Sequence, residues 1–254
     1  MIKFFRKIRQ QLLTENKLSK YLMYALGEVV LVVIGILIAL QINNWNERQK
    51  VKHEKEVLIK SMITDFEISR TRLESSISQI DNLIYRTETF LSLSYKDNLD
   101  IPVDSLKSLG SAAFDIVTVE PVLTSYNEAI ASGKIGLISN KRILGSIAEF
   151  LLAFSDYKVH YDISGQNYYL GSVWEIRREI GNLGIFLKPG AKQSLGSVNT
   201  KAYQLGDADF RSFLKKPIVY ASWDNQLTIY YNIRLSFLSM YKAAESVIEN
   251  LKGL

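Results

Sequence analysis

Apolar side chains in this chain follow two different patterns. From Tyr21 to Ile42 they are nearly continuous, with one charge, Glu28, and between Val29 and Leu40 only Gly35 interrupts the run. As a helix these 22 residues span about 33 Å, enough for the hydrocarbon core of a bilayer. A buried core helix would carry a polar stripe, and this run has none. It ends in Asn43, Asn44, Trp45 and Asn46, with Trp45 placed as an interfacial anchor and Tyr21 and Tyr24 at the other border. The run is longer than a signal-peptide core and no small-residue cleavage site follows it, so an uncleaved anchor is expected.

Beyond residue 46 the pattern becomes periodic. Ile59, Met62, Phe66, Leu73, Ile77, Ile80, Ile84 and Leu91 recur at steps of three and four, broken at Ser69 and Thr87, with no Gly or Pro between Glu47 and Ser92. This predicts one long helix packing along a single seam, with its charged first part, to about residue 60, as a stalk. Asp104 to Phe114 reads as a short helix. Pro121 suits the first turn of another, which Gly133 should end. Ser139 or Asn140 caps a longer stretch through Ile143, Ile147, Leu151, Phe154, Tyr161, Tyr168, Val173, Ile176 and Ile180, with Gly165 as a break or kink. Gly181 to Gly206 holds five of the 14 glycines and three lysines (Lys188, Lys192, Lys201) without an acid. A connection of that length serves as a binding loop or as a plain solvated linker. Asp207 to Lys216 reads as a short helix. Pro217 opens a last long one, with Trp223, Leu227, Tyr230, Phe237, Met240, Ala244, Ile248 and Leu251 on one face. The expected fold is all-α. A transmembrane helix is followed by an antiparallel bundle whose long first and last helices resemble coiled coils. The expected division is a basic segment 1–20, a transmembrane helix 21–42 and a helical domain 43–254.

Charge refines the membrane reading. Residues 1–20 contain six basic side chains (Lys3, Arg6, Lys7, Arg9, Lys17, Lys20) and one acid, Glu15, so the segment carries +5, the charge of the whole chain. The remainder, with the other basic and acidic side chains of the totals of 31 and 26, is neutral. The positive-inside rule therefore predicts a cytoplasmic N-terminus and a domain on the far side, the periplasm in a cell with two membranes. Ile2, Phe5, Ile8 and Leu12 share a helical face, which suits an amphipathic helix on anionic lipid as well as it suits a disordered basic tail. A nucleic-acid partner is not expected, because the domain has no basic excess. Hydrophobic residues are 47% of the chain, too few for several membrane spans. The absence of cysteine rules out disulfides and thiolate chemistry.

Within the membrane run, Glu28 is costly at that depth and either faces a partner helix or snorkels toward Lys17 or Lys20. Gly35 and Ala39 form a small-xxx-small pair that permits close helix packing.

The chain resembles a large uncharacterised family over its first 47 residues. The resemblance is carried by Met1, Ile2, Lys3, Phe4, Phe5, Arg6, Lys7, Ile8 and Arg9, by Glu15, Asn16, Lys17, Ser19, Lys20 and Tyr21, by Gly27 and Glu28, by the run Val32 to Leu40, and by Ile42 to Glu47. Thr124, Ser125, Tyr126, Ser132, Gly133, Leu137, Ile138, Ser139, Asn140 and Leu144 resemble a second, looser signature of it. Members are single-pass membrane proteins of Bacteroidota with a domain of unknown function. The resemblance implies an inner-membrane location and no activity.

Candidate chemistry is sparse. The two histidines, His53 and His160, are far apart in sequence, and no nucleophile elbow, dinucleotide fingerprint or phosphate loop occurs. No catalytic residue, cofactor or metal is expected. Tyr161, Tyr168, Trp174, Trp223 and Tyr230 could line a ligand pocket or partner surface, although such residues more often fill cores. The leading expectation is a non-enzymatic, membrane-anchored interaction or scaffold protein whose partners are the bilayer and a second protein or copy, met through its helical seams. The alternative is a ligand-sensing module that signals through a membrane partner.

Overall fold

The computed structural model describes residues 18–96, 100–179 and 205–254. Most of the basic segment 1–20 and nearly all of the 181–206 connection lie outside the described residues. Every regular element among the described residues is helical. Helix α1 is Leu18–Ser94, α2 Val103–Gly110, α3 Thr124–Ala131, α4 Lys141–Leu170, α5 Ser172–Glu179, α6 Asp207–Leu214 and α7 Pro217–Lys252. Short 3-10 turns cover Ser111–Phe114 and Lys134–Ile138.

Contacts divide the chain into a unit ending at Val57 and a unit Leu58–Leu254. In the first unit, α1 is long and apolar enough to cross a membrane, and none of its apolar window is buried. Leu22, Leu31 and Leu37 are each more than half exposed. Helical hydrogen bonding satisfies the backbone without help, so a lone helix can present such a surface to hydrocarbon.

In the second unit the seam of α1 is longer and more regular than its apolar residues suggest. Met62, Phe66, Ser69, Leu73, Ser76, Ile80, Leu83, Thr87, Phe90 and Ser94 are all buried, and their spacing alternates strictly between four and three. The supposed breaks at Ser69 and Thr87 lie inside this seam. Thr87 satisfies its hydroxyl on the Leu83 carbonyl one turn back, at 2.7 Å. Ser69 reaches across to another segment, described below.

Two apolar clusters fill the second unit. The larger joins α1 from Met62 to Ile84 with Val117, Val119, the inner face of α4 (Ile143, Ile147, Phe150, Tyr157) and α7 from Ile229 to Leu251. Phe66 meets Phe150 edge-on at 5.2 Å. The smaller gathers Phe90, Leu91, Val103, Leu106, Ile176, Phe210, Phe213, Val219 and Trp223.

Three local expectations need correction. Pro121 does not start a helix. Residues 115–123 have no regular structure, and α3 begins at Thr124. The residue before a proline is pushed out of the helical region, which favours an extended approach. Gly165 does not break the helix; α4 runs on to Leu170. The break comes at Gly171, where an added Cβ would lie 2.8 Å from Asn167 Oδ1. The expected helix 104–114 divides into α2 and a 3-10 turn. Asn140 does cap α4, accepting the Arg142 N–H at 2.9 Å, and Pro217 opens α7.

Candidate interaction surfaces

Residues 115–123 form an extended strap held by side chains of three helices. From α1, Asp65 accepts the Ser125 N–H at 2.7 Å and Ser69 accepts the Val122 N–H at 2.8 Å. Arg72 donates to the Glu120 carbonyl at 2.8 Å, and Ser76 lies 3.5 Å from the Thr118 carbonyl. From α4, the Tyr157 hydroxyl accepts the Val119 N–H at 3.3 Å. From α7, the Tyr230 hydroxyl sits 2.7 Å from the Ala112 carbonyl and 2.6 Å from that of Asp115. A segment outside helix and sheet must find partners for its backbone elsewhere, and here they are supplied at steps of three and four along α1. Val117 and Val119 point inward, while Ile116, Thr118 and Glu120 are exposed. Beside the strap, an open 570 Å³ cleft is lined by Gln79, Asn82, Arg86, Asp115 and their neighbours.

The five aromatic candidates do not come together as one surface. Trp223 and Tyr230 are each only 1% exposed and are structural. Trp223 donates its indole N–H to the Gly110 carbonyl at 3.0 Å and packs 5.0 Å from Phe90. Burial is the main reason that the Tyr230 phenol is held well above its ordinary pKa; Gln226 opposes that shift. Burial likewise raises Tyr157, against the opposing Val119 N–H bond. Tyr168 is half-buried and touches Phe114 at 6.5 Å, which in turn meets Trp223. Tyr161 and Trp174 are exposed, and Tyr161 packs 5.9 Å from Tyr157.

Sequence reasoning missed a buried amide network behind these rings. Asn167 donates to Gln226, Gln226 to Ser164 and Ser172 to Asn167, each at 3.1 Å. Buried amides need such mutual satisfaction, and the network ties α4 and the start of α5 to α7. The local signal was a Gln on the mostly apolar face of α7, at helical spacing from Trp223 and Tyr230.

In the membrane-length run, Gly35, Ala39 and Trp45 are exposed and Glu28 is half-buried. Nothing lies within 4 Å of where a Gly35 side chain would begin. Gly35 and Ala39 are one turn apart and share a face.

Helix α4 carries a second apolar face that sequence reasoning also missed. Its inner face is in the core. On the opposite side Leu144, Leu152, Val159, Ile163 and Leu170 are 38%, 65%, 54%, 43% and 80% exposed. Ala148, Ser155 and Gln166 are exposed in the same row, and no charged residue interrupts it. The helix is therefore apolar on two sides, a pattern that calls for a second neighbour.

The chain belongs to a family of unknown function (DUF6090), which matches residues 28–170. That span runs from Glu28 in the apolar run to the last residue of α4. It includes the strap and both faces of α4, and it leaves Trp174, Trp223 and Tyr230 outside. No curated protein and no solved structure matches the chain.

Proposed function

We propose that this DUF6090 member is a single-pass protein of a bacterial inner membrane that works as a non-enzymatic interaction or scaffold module of the cell envelope. Its basic N-terminus is cytoplasmic and residues 43–254 are periplasmic, the first of them a charged stalk to about residue 60. The observation that carries the interaction role is the outer face of α4, an apolar row that stays exposed among the described residues. The anchor rests on the exposed apolar window of α1, and the orientation on the +5 that precedes it.

The periplasmic part is read as an antiparallel bundle. Contacts between α1 and α7 support this by their order. Glu67 pairs with Lys252, Asp81 with Arg234, Glu88 with Tyr231, and Phe90 packs on Trp223. One number rises as the other falls. Contacts of α4 with α7 have the same sense: Tyr157 with Phe237, then Asn167 with Gln226. The alternation of four and three along α1 supports coiled-coil-like packing. Ligand sensing has less behind it, because two of the five aromatics that suggested a pocket are interior.

Affinity purification of the tagged full chain from its native membrane in mild detergent tests this reading. A stoichiometric protein partner, or an untagged copy of the same chain, is expected. Recovery of the tagged chain alone would sink the interaction role.

A further inference from the structure

The exposed row on α4 has an internal rhythm. From Leu144 its members follow at steps of 4, 4, 3, 4, 4, 3 and 4, an eleven-residue repeat. Ala148, Val159 and Leu170 are equivalent positions in that repeat, as are Leu152 and Ile163. The two polar members, Ser155 and Gln166, are equivalent to each other and to Leu144, which holds that position in the first repeat. An eleven-residue period is about 3.67 residues per turn, close to the 3.6 of an undistorted helix, so the row runs nearly straight along α4. The row keeps this register over 27 residues, and five of its eight members are large and apolar.

We infer that this face pairs with the same face of a second copy, the two α4 helices parallel and in register. This deepens the interaction reading and rests on it. The polar members choose the occupant. In a parallel, in-register pair each residue meets its own counterpart, so Ser155 faces Ser155 and Gln166 faces Gln166, and each polar group finds a hydrogen-bonding partner. An apolar partner would leave both unsatisfied when buried. A polar residue at a seam position also fixes register and orientation.

Charges at the margins agree. On the helical wheel Lys158 and Asp162 flank one side of the row, and Asp156 and His160 flank the other. Two-fold pairing brings one side of each copy against the opposite side of its partner. Lys158 then faces Asp156 and Asp162 faces His160, each offset by two residues, about 3 Å along the axis. An antiparallel pair centred on the middle of the row, residue 157, would instead set Ser155 against Val159 and Gln166 against Ala148. Anchoring in one membrane raises the effective concentration of copies for each other, so a modest seam suffices.

The chain has no cysteine, which makes site-specific cross-linking clean. Ala148→Cys and Gln166→Cys are made separately in the full chain, with Asn225→Cys on the exposed side of α7 as control. A short bis-maleimide is added to membranes. Both row variants should give a covalent dimer at about tenfold or more the yield of the control. In the chain carrying Val159→Asp and Ile163→Asp, that yield should fall by more than about tenfold. Its helical content and melting should hold, because both residues already face outward. Cross-linking at neither row position, or equally at all three, overturns the proposal. So does cross-linking that survives the aspartates. A different stoichiometric partner recovered together with uncross-linked monomer removes the self-pairing and leaves the interaction role standing.

Discussion

Tyr230 shows how a single side chain can read as a ligand contact and be a structural tie. Its ring lies in the core and its hydroxyl lies between the carbonyls of Ala112 and Asp115, where the 3-10 turn opens into the strap. Tyr230→Phe keeps the ring and removes a buried donor from those carbonyls, although that of Ala112 keeps the Asp115 N–H, so it should cost about 1–3 kcal/mol of stability. Denaturant unfolding of the full chain in detergent, followed by tryptophan fluorescence, measures this. The same residue predicts an alkaline weakness. Tyr230 and Tyr157 are both raised above 10.0 by burial. Above that pH the unfolded chain releases phenolic protons that the folded chain retains, so stability is complete below about pH 10 and falls as the pH rises further. Wild type should lose stability across that rise, and Tyr230→Phe should lose less. Equal slopes would mean that Tyr230 does not couple to folding.

At the scale of elements, the strap explains why part of the fold was legible and part was not. Local signals carried through: the apolar run, the period of α1, the Asn140 cap and Pro217 at the start of α7 each depend on neighbours within a few residues. The start of α3 does not. The Ser125 amide in its first turn is met by Asp65, 60 positions away, an acceptor no local reading could supply, with a carboxylate suited to a helix N-terminus. Ser69 misled for the same reason. A serine in an apolar seam looks like a defect until its partner, Val122, is known. The outer row of α4 was legible in its spacing, but a helix already supplied with one apolar face gave no reason to look for another. Asp65→Ala should cost about 1 kcal/mol, as loss of an N-cap does. Its distinguishing effect is local: amides of residues 119–126 should exchange with solvent faster while those of α7 keep their protection. Unchanged exchange in the strap would show that Asp65 is not what holds it.

At the scale of the whole molecule, the proposed single span would put the helical domain on one side of a membrane, and flanking charge decides which. The two flanks of the apolar run differ in charge. Before it stand six basic residues against one acid; just after it, Glu47, Arg48, Lys50, Lys52 and Glu54 nearly balance. Basic residues close to a span are retained in the cytoplasm, and acids contribute little to that choice. Arg48, Lys50 and Lys52 therefore pull weakly against the orientation that the N-terminal cluster favours, and the cluster should prevail. A reporter active only in the periplasm, fused after Leu254, should be active. Replacing Lys3, Arg6, Lys7 and Arg9 with Gln should shift part of the population to the silent orientation, since the basic residues left on the two sides would be nearly matched. A fusion that accumulates intact but silent with the native N-terminus would place the helical domain in the cytoplasm and, with it, whatever the α4 surface binds. Activity that ignores the four substitutions would show that something other than flanking charge sets the topology.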